Sequence, residues 1–127
     1  RPMFWEVGKV QLPTNPGQAR GSRWADALPL MTGFNTTLRP NAELCFGGDA
    51  TTIGTLTMSS RHQGGGHVAM ADGSVKFITD SIDAGGLGVG TVVLNGEGER
   101  APGSPSPFGL WGALGTRDQS EVHDYEY

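Results

Sequence analysis

The most regular alternation of apolar and polar positions lies in residues 67–78, where two β-prone runs flank Asp72-Gly73. An Asp-Gly pair between such runs is typical of a two-residue type I′ turn, because both central residues of that turn have positive φ. Side chains alternate between the faces of a strand, so counting outward from the turn places a group of apolar residues on one face. We therefore predict an antiparallel hairpin whose core face consists of Val68, Met70, Val75 and Phe77.

The rest of the pattern predicts short elements joined by long loops. Residues 2–12 favour a strand or an extended segment, and residues 24–34 favour a short helix or strand. Residues 51–60 and 91–94 are rich in β-branched side chains, which makes both segments strand candidates. Residues 96–107 carry closely spaced glycines and prolines and are predicted to form a surface loop.

Apolar character returns in residues 108–117, where glycines recur at roughly three-residue spacing. Each internal glycine costs a helix about 1 kcal/mol relative to alanine. We therefore predict a tightly packed segment other than a regular helix, with Trp111 docked on the hairpin face. A polar tail follows over residues 118–127.

Composition points to a thin core. The chain has 21 glycines and a hydrophobic content of 36%, which together favour many turns and short strands. Its length of 127 residues fits one domain. We predict a single domain over residues 1–127 of the α+β to mostly β class, with a small antiparallel sheet, a central Asp-Gly hairpin and long ordered loops.

Charge and cysteine content limit the kinds of partner that the chain can bind. Nine Lys and Arg stand against 13 Asp and Glu, for a net charge of −4. Phosphate binding needs clustered basic residues, so this balance argues against a nucleic-acid partner. Cys45 is the single cysteine and forms no internal disulfide; we expect a small buried side chain, with pairing to another subunit as the alternative.

The histidines are candidates either for a metal site or for a structural role. His62, His67 and Asp72 follow one another at steps of five, with Asp80 further on. Imidazole and carboxylate are ordinary zinc ligands, but His67 and Asp72 would stand about 16 Å apart along an extended strand. We expect no bound cofactor, with His62 ordering the approach to the hairpin. Calcium is the alternative, held in glycine-rich loops by Asp49, Asp72, Asp80 and Asp83.

Catalytic patterns are weaker than the metal pattern. Ser60, His62 and Asp72 are the residue types of a nucleophilic triad, yet no spacing among them favours one. No Gly-x-Ser-x-Gly elbow surrounds a serine, and the glycines at 64–66 are not followed by the Lys-Ser/Thr of a phosphate-binding loop. We expect a protein that is not an enzyme.

Two motifs resemble those of a known family. His62 is followed after nine residues by Asp72-Gly73, and this spacing resembles the signature of a large bacterial prepilin-type family. Residues 106–117, Ser-Pro-Phe-Gly-Leu-Trp-Gly-Ala-Leu-Gly-Thr-Arg, resemble the C-terminal ending of the same family. That ending contains Trp111, Gly112 and Arg117.

The resemblance implies a pilin-like head domain whose motifs are architectural. Family members carry a prepilin leader and a long hydrophobic N-terminal helix, which these 127 residues do not include. The implied function is that of a structural subunit, a type IV pilin-like or type II secretion pseudopilin-like head in an extracytoplasmic filament or envelope assembly. Its implied partners are other pilin or pseudopilin subunits, either copies of itself or a separate helix-bearing chain, and membrane contact would come only through such a helix. The alternative is a periplasmic metal- or ligand-binding accessory module.

Overall fold

The fold is of the small α+β class, as the sequence predicted. The computed structural model describes residues 4–6, 9–11, 20–45, 54–86 and 90–116, with the backbone alone at 4–6, 9–11 and 45. In chain order the elements are β1 (Phe4–Glu6), β2 (Lys9–Gln11), α1 (Pro29–Thr32), β3 (Leu44–Cys45), β4 (Gly65–Ala69), β5 (Val75–Thr79), a 3-10 turn (Gly98–Arg100) and α2 (Gly109–Leu114).

The strands form two separate sheets. One has the order β2-β1-β3, in which β1 pairs antiparallel with β2 and parallel with β3. The other is the β4-β5 hairpin. The strand or extended segment predicted over residues 2–12 therefore contains two short paired strands. Of the helix or strand predicted within residues 24–34, the structure has the helix, α1.

The hairpin forms at the predicted place, but its register differs by one residue. Ala69 lies opposite Val75, and Gly73 N–H donates to the carbonyl of Met70 at 3.0 Å. Gly73 has φ of 84°, whereas Asp72 does not have positive φ. This is the three-residue hairpin loop in which a turn is followed by a glycine in the left-handed region, so the predicted two-residue type I′ turn is wrong.

Because of the one-residue shift, two of the four predicted core residues lie on the outer face of the hairpin. Ile78, 2% exposed, points inward, and Val68 packs beside it. Val75 and Phe77 lie on the outer face of the hairpin, 65% and 41% exposed. Because successive strand residues alternate in direction, a shift of one residue exchanges the two faces of β5. The predicted core face was therefore wrong for Val75 and Phe77, while Val68 and the half-buried Met70 share the inward side.

The strand predicted over residues 51–60 is absent from its described part, residues 54–60. Two asparagines take the place of a neighbouring strand there. Asn35 N–H donates to the carbonyl of Leu56 at 2.8 Å, and its side-chain amide donates to the carbonyl of Gly54 at 2.7 Å. The Asn41 side-chain oxygen accepts from the backbone N–H of Ser60 at 2.8 Å. Apart from an isolated β-bridge at Thr55, the described part of the segment has no strand structure and is held by these bonds.

Residues 91–94 also form no strand, because their backbone closes the neighbouring loop. Val93 N–H donates to the carbonyl of Arg100 at 3.1 Å, and Arg100 Nε donates to the carbonyl of Thr91 at 3.1 Å. The predicted loop over residues 96–107 consists mostly of turns around the 3-10 turn. The predicted polar tail, residues 118–127, lies outside the described residues.

Two small clusters of apolar side chains form the core. The first cluster lies against α1 and consists of Leu30, Met31, Leu44 and Leu56. The second cluster lies beneath the hairpin and consists of Met58, Ile78 and Trp111, with Val68, Ile82, Ala84 and Leu114 packed around it. Thr57 is completely buried and donates its hydroxyl hydrogen to the carbonyl of Ala42 at 2.8 Å. This bond fixes the segment between Leu56 of the first cluster and Met58 of the second against residue 42.

The prediction that the C-terminal segment would not be a regular helix was wrong for α2. Its buried face, Leu110 and Trp111, gains more from packing than the internal glycine loses. Gly112 lies where a Cβ would collide with the Ser106 hydroxyl and would stand 2.7 Å from the Phe108 Cβ. Glycine therefore lets this helix lie directly against the chain that precedes it.

Candidate functional site

The two histidines of the motif region lie on the outer face of the hairpin. The rings of His62 and His67 meet edge to face with centroids 5.9 Å apart, and His67 meets Phe77 in the same way at 5.0 Å. Both histidines are exposed. His62 N–H donates to the Ser60 hydroxyl oxygen at 3.1 Å, which holds the loop before β4. This bond comes from the backbone of His62, so the role expected of its imidazole in ordering the approach to the hairpin stays a prediction.

Asp72 and Gly73 form the tip of the hairpin. The Asp72 carboxylate accepts from the backbone N–H of Ser74 at 2.8 Å, a local bond that competes with the type I′ conformation. The adjoining Ser74 hydroxyl, and then this N–H, hold the pKa of the Asp72 carboxyl below its usual value. The carboxylate is fully exposed, and its hydrogen bond to Ser74 N–H stabilises the turn.

The remaining candidate carboxylates are engaged in separate places. Asp80 accepts from the side-chain amide of Asn41 at 2.7 Å, and Asp83 accepts from Gly85 N–H at 2.9 Å. Asp49 lies outside the described residues. Within residues 20–45, 54–86 and 90–116, no group of three or more His, Cys, Asp and Glu side chains is placed to hold a metal ion. The structure does not bring His62, His67, Asp72 and Asp80 together as one site.

The C-terminal motif anchors the second cluster. Trp111 is 2% exposed, its indole Nε1–H donates to the carbonyl of Leu38 at 2.9 Å, and its ring stacks on Phe34 with centroids 6.2 Å apart. Trp111 N–H donates to the carbonyl of Asp83 at 2.8 Å. The prediction that Trp111 docks against the hairpin is confirmed through its packing with Ile78. Arg117 lies outside the described residues.

Several residues that organise this region were missed by the sequence reasoning. Asn41 has φ of 59° and joins residues on three segments through its side chain and backbone. Gly65 crosses β5 so closely that a Cβ would collide with the carbonyl of Ile78. Arg20 is half-buried in a cavity that no motif indicates. The sequence signals for them were the Pro40-Asn41 pair, typical of a turn, and the glycine run at 64–66.

A family model described as "Protein of unknown function (DUF1559)" matches residues 1–85 of the 127. The chain belongs to this family. The DUF1559 match includes His62, Asp72 and Gly73, whereas the C-terminal motif around Trp111 lies beyond it. No curated protein and no solved structure matches the chain.

Among the residues of this DUF1559 chain that the structure describes, no helix has the length and apolar character needed to cross a bilayer.

The Asp72 carboxyl should contribute a pH-dependent part of the stability of this DUF1559 chain. Because its pKa is lower in the folded chain than the ordinary value, the unfolded chain takes up the proton first on acidification. Stability from this group is present at neutral pH and is lost as the pH falls from about 4 through the folded pKa. Urea unfolding at a series of pH values should show a weaker acid dependence for Asp72→Asn. Parallel pH profiles for the two proteins would contradict this role.

Proposed function

We propose that this chain is the head domain of a structural subunit, of the type IV pilin-like or type II secretion pseudopilin-like class. The subunit acts in an extracytoplasmic filament or envelope assembly. Its partners are other pilin or pseudopilin subunits, either further copies of itself or a separate helix-bearing chain. Support comes from the spacing of His62 and Asp72-Gly73 and from the C-terminal segment around Trp111, which resemble the prepilin-type family in the same order along the chain.

The observation that carries the proposal is the outer face of the hairpin. The shifted register leaves Val75 and Phe77 exposed next to the rings of His62 and His67. An apolar strip on a two-stranded sheet is typical of a surface that is covered in an assembly. Leu94, 85% exposed, stands beside the surface loop over residues 96–107, which offers a second contact surface for neighbouring subunits.

The surroundings of the candidate catalytic residues support a role without catalysis. The Ser60 hydroxyl accepts a backbone N–H, and Asp72 is engaged by Ser74 at the hairpin tip. A nucleophilic triad needs the acid to orient the histidine and the histidine to contact the nucleophile. We infer that these groups fix loops, in keeping with a structural subunit that needs no cofactor.

Site-directed cross-linking in the source cells tests the assembly. Val75→Cys in a Cys45→Ser background, labelled in intact envelopes with a maleimide that carries a photoreactive benzophenone, should give covalent adducts with neighbouring subunits on illumination, because those subunits cover this face. Arg39→Cys, exposed and outside the hairpin strands, is the matched control and should stay monomeric. Fractionation should place the protein outside the cytoplasm. A monomeric Val75→Cys chain found in the cytosolic fraction would overturn the proposal.

A further inference from the structure

A cavity of about 600 Å³ lies on the side of the molecule between the first cluster and the loop before β4. This volume falls in the range of small-molecule sites in proteins. Residues from four stretches of the chain line it, among them Arg20, Met31, Asn41, Glu43, Ser60 and Arg61. The cavity is separate from the histidines and from the hairpin tip.

Arg20 is the unusual member of this lining. Its Nη1 is buried and has no hydrogen-bond partner in the part of the chain that the structure describes. Burial also lowers the pKa of its guanidinium from the usual value. A buried cationic donor without an acceptor is costly, because it has lost water without gaining a partner. Because the Arg20 side chain is only half-buried and lines the cavity, its guanidinium would gain from an anionic acceptor bound there.

The rest of the lining is suited to complete such a contact. Arg61 adds a second guanidinium. The Ser60 hydroxyl accepts from His62 N–H, which leaves its own hydrogen for donation. Asn41 binds Asp80 through its side-chain nitrogen and Ser60 N–H through its side-chain oxygen, so this wall is rigidly held.

The charges of the lining favour a group with one negative charge. Arg20 and Arg61 are cationic, and Glu43 is the single acidic side chain among the lining residues. Guanidinium groups bind carboxylate and phosphate alike through paired N–H donors. The Glu43 carboxylate repels a doubly charged phosphate more strongly than it repels a singly charged carboxylate. Met31 gives the cavity an apolar wall for a short hydrocarbon portion.

We propose that this cavity is a binding site for a carboxylate group, held by Arg20 and Arg61 with help from the Ser60 hydroxyl. The carboxylate comes either from a small organic acid or from a glutamate or aspartate side chain of another polypeptide. This site goes beyond the assembly role and does not depend on it.

The test is a titration of the isotope-labelled chain followed by NMR at constant ionic strength. Propionate, a blocked peptide with one glutamate, and inorganic phosphate are the probes. A carboxylate probe should give saturable shifts at the Arg20 Nε–H and at the Ser60 and Arg61 amides. Equal binding of both carboxylates would identify a small organic acid as sufficient, and binding of the peptide alone would identify a protein source. Absence of saturable shifts with either, or tighter binding of phosphate, would overturn the proposal.

Variants make the assignment residue-specific. Arg20→Met keeps the length and apolar stem of the side chain and should weaken carboxylate binding at least about tenfold. Arg23→Met is the matched control, because Arg23 pairs with Asp26 outside the cavity, and it should bind as the wild type does. Glu43→Gln should tighten binding of both anions. If Arg20→Met does not fold, Arg61→Gln provides the same comparison, and unchanged affinity there would contradict the assignment.

Discussion

Replacing Trp111 by alanine should lower the free energy of unfolding by about 3 to 5 kcal/mol, the usual cost of removing a large aromatic side chain from a core. The side chain is 2% exposed and packs with Met58 and Ile78 in the second cluster. Its loss would open a cavity beneath the hairpin and would leave the carbonyl of Leu38 without the indole N–H. Urea unfolding monitored by far-UV circular dichroism measures the change.

The matched control is Trp24→Ala. Trp24 is 85% exposed, so its removal should change stability by no more than about 0.5 kcal/mol. Trp111→Phe separates packing from hydrogen bonding, because phenylalanine fills most of the space and lacks the donor. Equal losses for Trp111→Ala and Trp24→Ala would contradict the role of Trp111 as the centre of the second cluster.

A single methyl group at Gly65 should be nearly as damaging, with an expected loss of at least about 2 kcal/mol. A Cβ there would collide with the carbonyl oxygen of Ile78 and would stand 2.9 Å from the Thr79 Cα. Both obstacles belong to the backbone of the neighbouring strand, so no side chain can turn away to relieve them. Gly65→Ala therefore forces β4 and β5 apart where they are most tightly apposed. Thermal unfolding and the dispersion of hairpin amide signals report the effect.

Gly86→Ala is the control for this substitution. Nothing lies within 4 Å of a Cβ at that position, and its φ is not in the left-handed region. Its effect on the melting temperature should be small in either direction. If Gly65→Ala melted together with Gly86→Ala, the close approach of the two strands would be refuted.

The local sequence predicted the position of the hairpin turn but not its type. Asp72-Gly73 marked the turn correctly, because glycine is needed where φ is 84°. The turn type depended on whether Asp72 would also adopt positive φ or bind Ser74 N–H, two options that differ little in local energy. The choice was settled by Ile78 packing beneath Trp111, a contact that the alternation of residues 67–78 does not contain.

Among the candidate site residues, those in local motifs could be recognised from the sequence, and those that depend on distant partners could not. His62, Asp72 and Trp111 were singled out because their motifs are local and recognisable in the sequence. Asn41 and Arg20 were missed because their roles depend on partners that fold back from distant parts of the chain. The helix α2 was missed because the local cost of its internal glycine was smaller than the gain from burying its apolar face.

The bond from the Trp111 indole to the carbonyl of Leu38 spans 73 residues of sequence. During synthesis the hairpin leaves the ribosome well before Trp111 does, and until then Ile78 has no indole to pack against. The second cluster is therefore completed only after nearly all of the described chain has emerged. Premature termination anywhere before α2 would release a polypeptide with an uncovered apolar surface, which is the kind of product that chaperones and proteases remove.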